Sequence, residues 1–241
     1  MRTRPETFTS ILLALAAVSA SADPAIPPVV YPVIAASGAR TEDFVPSGWK
    51  VELQKSGDLN GDRLPDVLMV LRMDDPKNIV HGDAPSESQS LNTNPRMLVM
   101  MFATDSGAYR LALADHRFIP RNDDIDSEDY FGGAAIAGKN IQIGLVQAMT
   151  AGSWSLVNYQ YTFHYQQGCF RLIGTDTVEV NRADGTLTKV SDNLLTQRSV
   201  KRTGTISSDR DSSVVWSRLP VQPLTCLQDT RSDLAETGPA R

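Results

Sequence analysis

Apolar and polar residues alternate with a period of two in several separate stretches of this chain, most regularly between Trp154 and Gln166. Ser155, Val157, Tyr159, Tyr161, Phe163 and Tyr165 fall on one face of that stretch. Trp154, Leu156, Asn158, Gln160, Thr162 and His164 fall on the other. Such a pattern predicts a strand that turns its aromatic side to a sheet core and its polar side to water. A row of rings could instead bind sugars, but burial of aromatic surface is a main driving force of β-folding. Trp49 to Gln54 also alternates, and Asp66 to Met73, with its run VLMVL, has the pattern of a buried strand. Arg96 to Thr104, a turn at Asp105-Ser106-Gly107 and Tyr109 to Ala114 together predict a β-hairpin. Further strands are expected at Ala134 to Ala137, Ile141 to Gln147, Phe170 to Thr175, Thr177 to Asn181, Leu194 to Thr203 and Val214 to Leu219.

The segments between these strands carry the usual breaker residues. Residues 23 to 47 are rich in Pro and Ala and predict an extended segment, with one helical turn around Thr41 to Val45 that Pro46 ends. Residues 74 to 94 hold Pro76, Pro85 and many Ser and Asn residues, as expected of a mobile surface loop. The polar stretch from Asp229 to Arg241 predicts a disordered tail. There is also an internal echo. GAYRLALAD from Gly107 aligns with GCFRLIGTD from Gly168, and each copy would form the second strand of a hairpin. Two such units suggest antiparallel, propeller-like sheets packed together, although an ordinary propeller closes with four blades or more. The expectation is therefore an all-β protein with one domain over residues 48 to 228, and a β-sandwich is the alternative.

Composition and the N-terminus add a location. Arg2 and Arg4 precede the apolar run from Ile11 to Ala20, and Ala20-Ser21-Ala22 has the form of a cleavage site. Residues 1 to 22 thus predict a secretory signal peptide, and a periplasmic or secreted protein with no membrane insertion after cleavage. Cleavage would remove Arg2, Arg4 and Glu6, making the chain one unit more acidic than the −5 of the full sequence. An acidic chain without a long basic stripe is a poor nucleic-acid binder, because phosphate neutralisation dominates that affinity. The densest basic segment, Arg198 to Arg202, predicts a solvated strand edge whose charges deter pairing. Export also gives the two cysteines meaning: Cys169 and Cys226 either form the single possible bridge or are two separate buried thiols.

The chemistry concentrates in DLNGDRLPD, from Asp58 to Asp66. Asp58, Asn60, Asp62 and Asp66 stand at relative positions 1, 3, 5 and 9, and the carbonyl of Leu64 falls at position 7. Ca²⁺ takes six to eight oxygen ligands, and alternating acidic residues around a sharp turn can aim their oxygens inward. Three carboxylates neutralise a divalent ion, whereas without one they repel each other. An acidic Asx-type turn that binds nothing is the simpler alternative. The loop is not an EF-hand, which needs Gly at position 6 and Glu at position 12, where this chain has Arg63 and Met69. A calcium-type loop leading directly into a strand resembles the FG-GAP or VCBS repeat of integrin-like β-propellers and secreted bacterial proteins. The resemblance covers Gly57 to Leu71, and Arg63 stands where that family usually has Gly. It implies a Ca²⁺ ion held by Asp58, Asn60, Asp62, Leu64 and Asp66, with affinity in the weak extracellular range of about 10⁻⁴–10⁻³ M.

No catalytic signature accompanies the loop. The chain has three histidines, His81, His116 and His164, with no H-x-x-x-H or C-x-x-C pair and no G-x-S-x-G elbow. A triad could assemble in space from Ser153, His164 and Asp176. The acidic stretch with Asp123, Asp124, Asp126, Glu128 and Asp129 reads as a solvated turn, a second calcium site or a carboxylate pair for glycoside hydrolysis. The resulting expectation is an exported, non-enzymatic calcium-binding β-protein, a structural or binding module of the cell envelope whose partner is an envelope protein or carbohydrate. The alternatives are a secreted hydrolase and an inhibitor or accessory protein of an envelope enzyme.

Overall fold

The computed structural model describes residues 26–81, 90–124, 127–148 and 154–232, so the expected signal peptide and the last nine residues lie outside it. The described chain is all β. Its strands are β1 (Ser37–Gly38), β2 (Trp49–Gly57), β3 (Asp66–Met73), β4 (Ile79–His81), β5 (Ser90–Asn92), β6 (Arg96–Ala103) and β7 (Tyr109–Asp115), followed by β8 (Phe131–Ala137), β9 (Asn140–Ala148), β10 (Ser155–Gln166), β11 (Cys169–Asn181), β12 (Thr186–Asn193), β13 (Arg198–Thr205) and β14 (Ser213–Arg218). They build a five-stranded sheet in the order β1-β7-β6-β3-β2 and a seven-stranded sheet in which β8 to β14 lie side by side in chain order. Every pairing in both sheets is antiparallel.

The uninterrupted apolar runs of β3 and β6 exist because the five-stranded sheet is covered on both faces. Leu68, Val70, Leu98, Met100 and Phe102 face the second sheet and share a core with Ile141, Ile143, Leu145, Tyr161, Phe163 and Phe170. Val67, Met69, Leu71, Met97, Val99 and Met101 face the other way and pack with Ile34, Phe44 and Trp49. The N-terminal segment is thus a third layer, extended except for a single 3₁₀ turn at Thr41–Phe44. Phe118, on the link between the sheets, meets Tyr161 and Phe163 edge-on at 5.1 and 5.3 Å. Each fully buried ring of this kind stabilises the fold by roughly 1.5–3 kcal/mol. The aromatic side of Trp154–Gln166 is therefore core: Tyr161 and Phe163 are buried, and Tyr159 and Tyr165 pack against them.

One end of the inter-sheet core is closed by charge. Arg72 and Arg96 stand directly opposite each other on β3 and β6. Like charges in that position destabilise a sheet unless they are neutralised. Glu52, the extra residue of a β-bulge between Val51 and Leu53, and Asp129, just before β8, neutralise them here. Arg96 bonds Glu52 at 2.5 and 2.8 Å and Asp129 at 2.6 and 2.6 Å. Arg72 lies 3.2 Å from Glu52 and 3.6 Å from Asp129. The Arg96 guanidinium also covers the Phe131 ring of β8 at 4.9 Å, so the cluster ties the two sheets together.

Several expectations need correction. Residues 74–81 and 90–94 are not a mobile loop. They form a 3₁₀ turn (Pro76–Asn78) and the β4–β5 hairpin, with Asn78, Thr93 and Asn94 buried. Arg121 anchors this unit through Thr93 O, Asn78 Oδ1 and Pro27 O, at 2.5, 2.9 and 2.7 Å. The two short strands expected at 170–175 and 177–181 are one strand, β11, whose β10 pairing shifts register near Thr162 and Phe163. β12 was not expected at all. The segment from Arg198 to Arg202 lies on an internal strand, paired on both sides, and not on an edge. Of the tail expected from Asp229, the described part is ordered: Leu227–Asp229 form a 3₁₀ turn and Leu227 and Ser232 are buried, while residues 233–241 lie outside the described residues. Cys169 and Cys226 are joined by a disulfide with Cα atoms 5.8 Å apart, pinning this C-terminal segment to β11.

Candidate metal centre

The loop joining β2 to β3 is held from beneath by two buried residues. Leu59 enters the inter-sheet core. Asp66, at 0% exposure, opens β3 and turns its carboxylate back under the loop. Its Oδ2 accepts the Leu59 and Asn60 N–H groups at 2.8 and 3.2 Å, and its Oδ1 accepts Ala103 N–H at 2.9 Å. Burial pushes the Asp66 carboxyl above its ordinary range, against the three backbone donors, and the nearby Asp62 charge adds to the rise. Asp66 is thus a clamp between the loop and the β6–β7 hairpin.

Above the clamp the loop is wound by side-chain-to-backbone bonds, the last two of them Asx turns. Asp58 Oδ1 accepts Gly61 N–H at 2.6 Å, Asn60 Oδ1 accepts Asp62 N–H at 2.9 Å and Asp62 Oδ1 accepts Leu64 N–H at 2.7 Å. Gly61 and Arg63 have φ of +91° and +72°. Arg63 therefore adopts the left-handed backbone that favours Gly, at the position where the FG-GAP-type pattern places Gly, and does so at about 1–2 kcal/mol of strain.

Asp58, Asp62 and Asp66 each bring one carboxylate oxygen to within 4.8 Å of the others. Among the described residues this is the one such grouping of three metal-ligating side chains. Oxygens sharing an ion at 2.3–2.6 Å lie at most about 5 Å apart, so the spacing suits Ca²⁺. Asn60 and Leu64 lie in the same loop but are engaged locally. Asn60 Nδ2 donates to Asp62 Oδ2 at 2.8 Å, and the Leu64 carbonyl accepts Asp66 N–H at 3.0 Å. Asn60 Oδ1 and the Leu64 carbonyl oxygen each keep a second lone pair, as does Asp66 Oδ1, whereas Asp66 Oδ2 already accepts two N–H groups. A residue not anticipated from the sequence offsets part of the loop's negative charge: Lys139, in the β8–β9 turn, places its Nζ 3.8 Å from Asp58 Oδ2. The start of the loop is held against β8 where Gly57 packs on Ile136, to which an added Cβ would approach to 2.8 Å.

The other candidates do not converge. His164 bonds Asn140 through Nδ1 at 2.9 Å and pairs across β11 with Arg171, whereas Asp176 pairs with Gln160. Four residues of strand separate them, about 13 Å, and Ser153 lies outside the described residues. His116 stacks on Tyr31 at 4.0 Å, and His81 ends β4. In the acidic stretch Asp129 is committed to Arg96 and Asp124 Oδ2 accepts from Ser127 at 2.8 Å, while Asp126 is outside the described residues. Comparison with protein-family models, with curated proteins and with solved structures found no match.

Proposed function

We propose that the β2–β3 loop is a calcium site that stabilises an exported, non-enzymatic β-protein serving as a structural or binding module of the cell envelope. The observation that carries this reading is the approach of the Asp58, Asp62 and Asp66 carboxylates to within 4.8 Å, on a loop whose backbone turns at Gly61 and Arg63 in the left-handed region. The FG-GAP or VCBS resemblance supports the same ion. Asp58, Asp62 and Asp66 would be the charged ligands, with Asn60 Oδ1 and the Leu64 carbonyl completing the set. When bound, the cation supplies electrostatic cross-linking of three repelling carboxylates and no reaction chemistry. The Cys169–Cys226 disulfide supports an oxidising compartment. Among the described residues no helix is long and apolar enough to cross a membrane, which suits peripheral or free residence in the envelope.

A calorimetric titration of the mature protein with CaCl₂ tests the reading. A single saturable site in the range of about 10⁻⁴–10⁻³ M, lost in Asp62→Ala, supports it. Absence of binding heat and of any chelator effect at millimolar Ca²⁺ refutes it and leaves an acidic Asx turn.

A further inference from the structure

Away from the metal loop, the outer strands of the seven-stranded sheet carry an unusual charge arrangement. Register places Arg198 directly opposite Arg218, Val200 opposite Trp216, and Arg202 opposite Val214. On the next strand Lys189 stands opposite Arg202 and Ser191 opposite Val200. Opposed residues share a face, and successive rows on that face are about 7 Å apart. One face of β12–β14 therefore carries a basic row (Lys189, Arg202), a middle row in which Trp216 is exposed and Val200 is buried, and a second basic row (Arg198, Arg218). Trp216 is 58% exposed and Val214 50% exposed. The Arg198 guanidinium lies over the Trp216 ring at 5.2 Å.

Both basic rows set like charges directly opposite each other, which destabilises a sheet. The same chain shows what such a pair requires. The Arg72–Arg96 pair is held by two carboxylates, Glu52 and Asp129. On the outer strands, only Arg202 has a carboxylate, Asp211 at 3.4 Å. Among the described residues Arg198, Arg218 and Lys189 form no ion pair. Asp176, aligned with Ser191 on the same face, is two strands from Val200. An acidic protein thus keeps unneutralised cations around an exposed indole.

We propose that this face of β12–β14 docks peripherally on an anionic lipid bilayer, with the basic rows meeting headgroup phosphates and Trp216 lying at the interface. The two basic rows are about 13 Å apart on a sheet face, which suits a planar field of anions better than one small ion. Exposed Trp216 between the basic rows, with exposed Val214 beside Arg202 on the edge strand, matches the amphipathic character of the membrane boundary. The attraction is local, because charges beyond about 8 Å are screened at physiological salt.

The test is cosedimentation of the mature full chain with vesicles of phosphatidylglycerol and phosphatidylcholine, against pure phosphatidylcholine, in chelator so that the calcium loop plays no part. Binding to the anionic vesicles only, weakening with salt and accompanied by a blue shift of tryptophan emission that Trp216→Ala removes, is the expected result. Each cation near an anionic surface contributes about a 5-fold change in partitioning, so Arg198→Gln/Arg218→Gln should bind roughly 30-fold more weakly. That variant relieves a like-charge pair, so an unchanged or raised melting temperature shows that lost binding is not unfolding. No binding to anionic vesicles, or equal binding by the double variant, overturns the proposal. So does binding of a soluble acidic polysaccharide or inorganic phosphate without vesicle binding.

Discussion

Arg96, 4% exposed, ends the inter-sheet core with Glu52 and Asp129 as charged partners and the Phe131 ring beneath it. Arg96→Met keeps an unbranched apolar stem of similar reach and removes the guanidinium. Removing one member of a buried charge cluster costs about 3–5 kcal/mol. The lower end applies here, because the Glu52 and Asp129 side chains are 26% and 39% exposed and Arg72 still lies 3.2 and 3.6 Å from them. About 3 kcal/mol, measured by urea unfolding at pH 7, corresponds to a fall in melting temperature of about 6–12 °C for a chain of this size. The pH profile gives a second readout. Burial alone would raise the Asp129 carboxyl, but Arg96, helped by Phe131 N–H and Arg72, outweighs burial and holds it below the ordinary 3.8. A depressed carboxyl contributes stability that is full above the ordinary value and is lost as pH falls through the depressed one. In Arg96→Met this acid limb should flatten. A loss under 1 kcal/mol with an unchanged acid limb would show that the cluster behaves as a screened surface pair and refute this reasoning.

Other consequences are equally open to measurement. Arg63→Gly relieves the left-handed strain at φ +72° and should raise stability in chelator by up to about 1 kcal/mol, net of the added freedom of the unfolded chain. A decrease, read by urea unfolding, would contradict the strain argument. Lys139→Met removes the ammonium 3.8 Å from Asp58 and should tighten calcium binding by up to about 5-fold, the scale of an exposed ion pair. Unchanged affinity by calorimetry would show that Lys139 does not compete with the ion. Cys169→Ser/Cys226→Ser opens a loop with a sequence separation of 57 and should cost up to about 4 kcal/mol in the chain-entropy account, read as a lower urea midpoint.

How far the fold could be read from the sequence depended on how many faces of each strand are buried. β10 alternates cleanly because only its aromatic face enters the core, and both its position and its inward side were legible. β3 and β6 were legible as apolar runs, but their two-sided burial depends on the N-terminal segment with Ile34 and Phe44, which reads locally as a Pro-rich spacer. β12 was missed because Thr186–Asn193 lies in a region with little burial, where no apolar period marks a strand. The segment 74–94 looked like a loop because its anchors are polar: Asn78, Thr93 and Asn94 are buried through hydrogen bonds to one another and to Arg121, a form of burial that hydropathy does not signal.

The acidic loop was legible because the spacing of its candidate ligands is local. The structure adds what is not local. Asp66 bonds Ala103, 37 residues on, and Lys139 arrives from the other sheet. Position 9 of the loop is therefore both a candidate ligand and a structural clamp, a double role that spacing alone does not reveal. The Arg96 cluster was equally hidden, since Glu52, Arg72, Arg96 and Asp129 come from four separate segments.

The central claim is that a cation bound by this loop stabilises the fold, and thermal unfolding of the mature protein in excess Ca²⁺ and in chelator tests it most directly. Asp62→Ala and Asp66→Asn would be run beside it. A ligand at 100 times its Kd adds about 2.7 kcal/mol, or about 5–10 °C for a chain of this size. The expected result is such a rise in the parent protein and none in Asp62→Ala, whose melting point in chelator stays near the parent's. Asp66→Asn should melt lower in both conditions, because its buried backbone donors lose a carboxylate. A melting temperature that ignores Ca²⁺ in the parent protein, or a rise that survives Asp62→Ala, would contradict the calcium site.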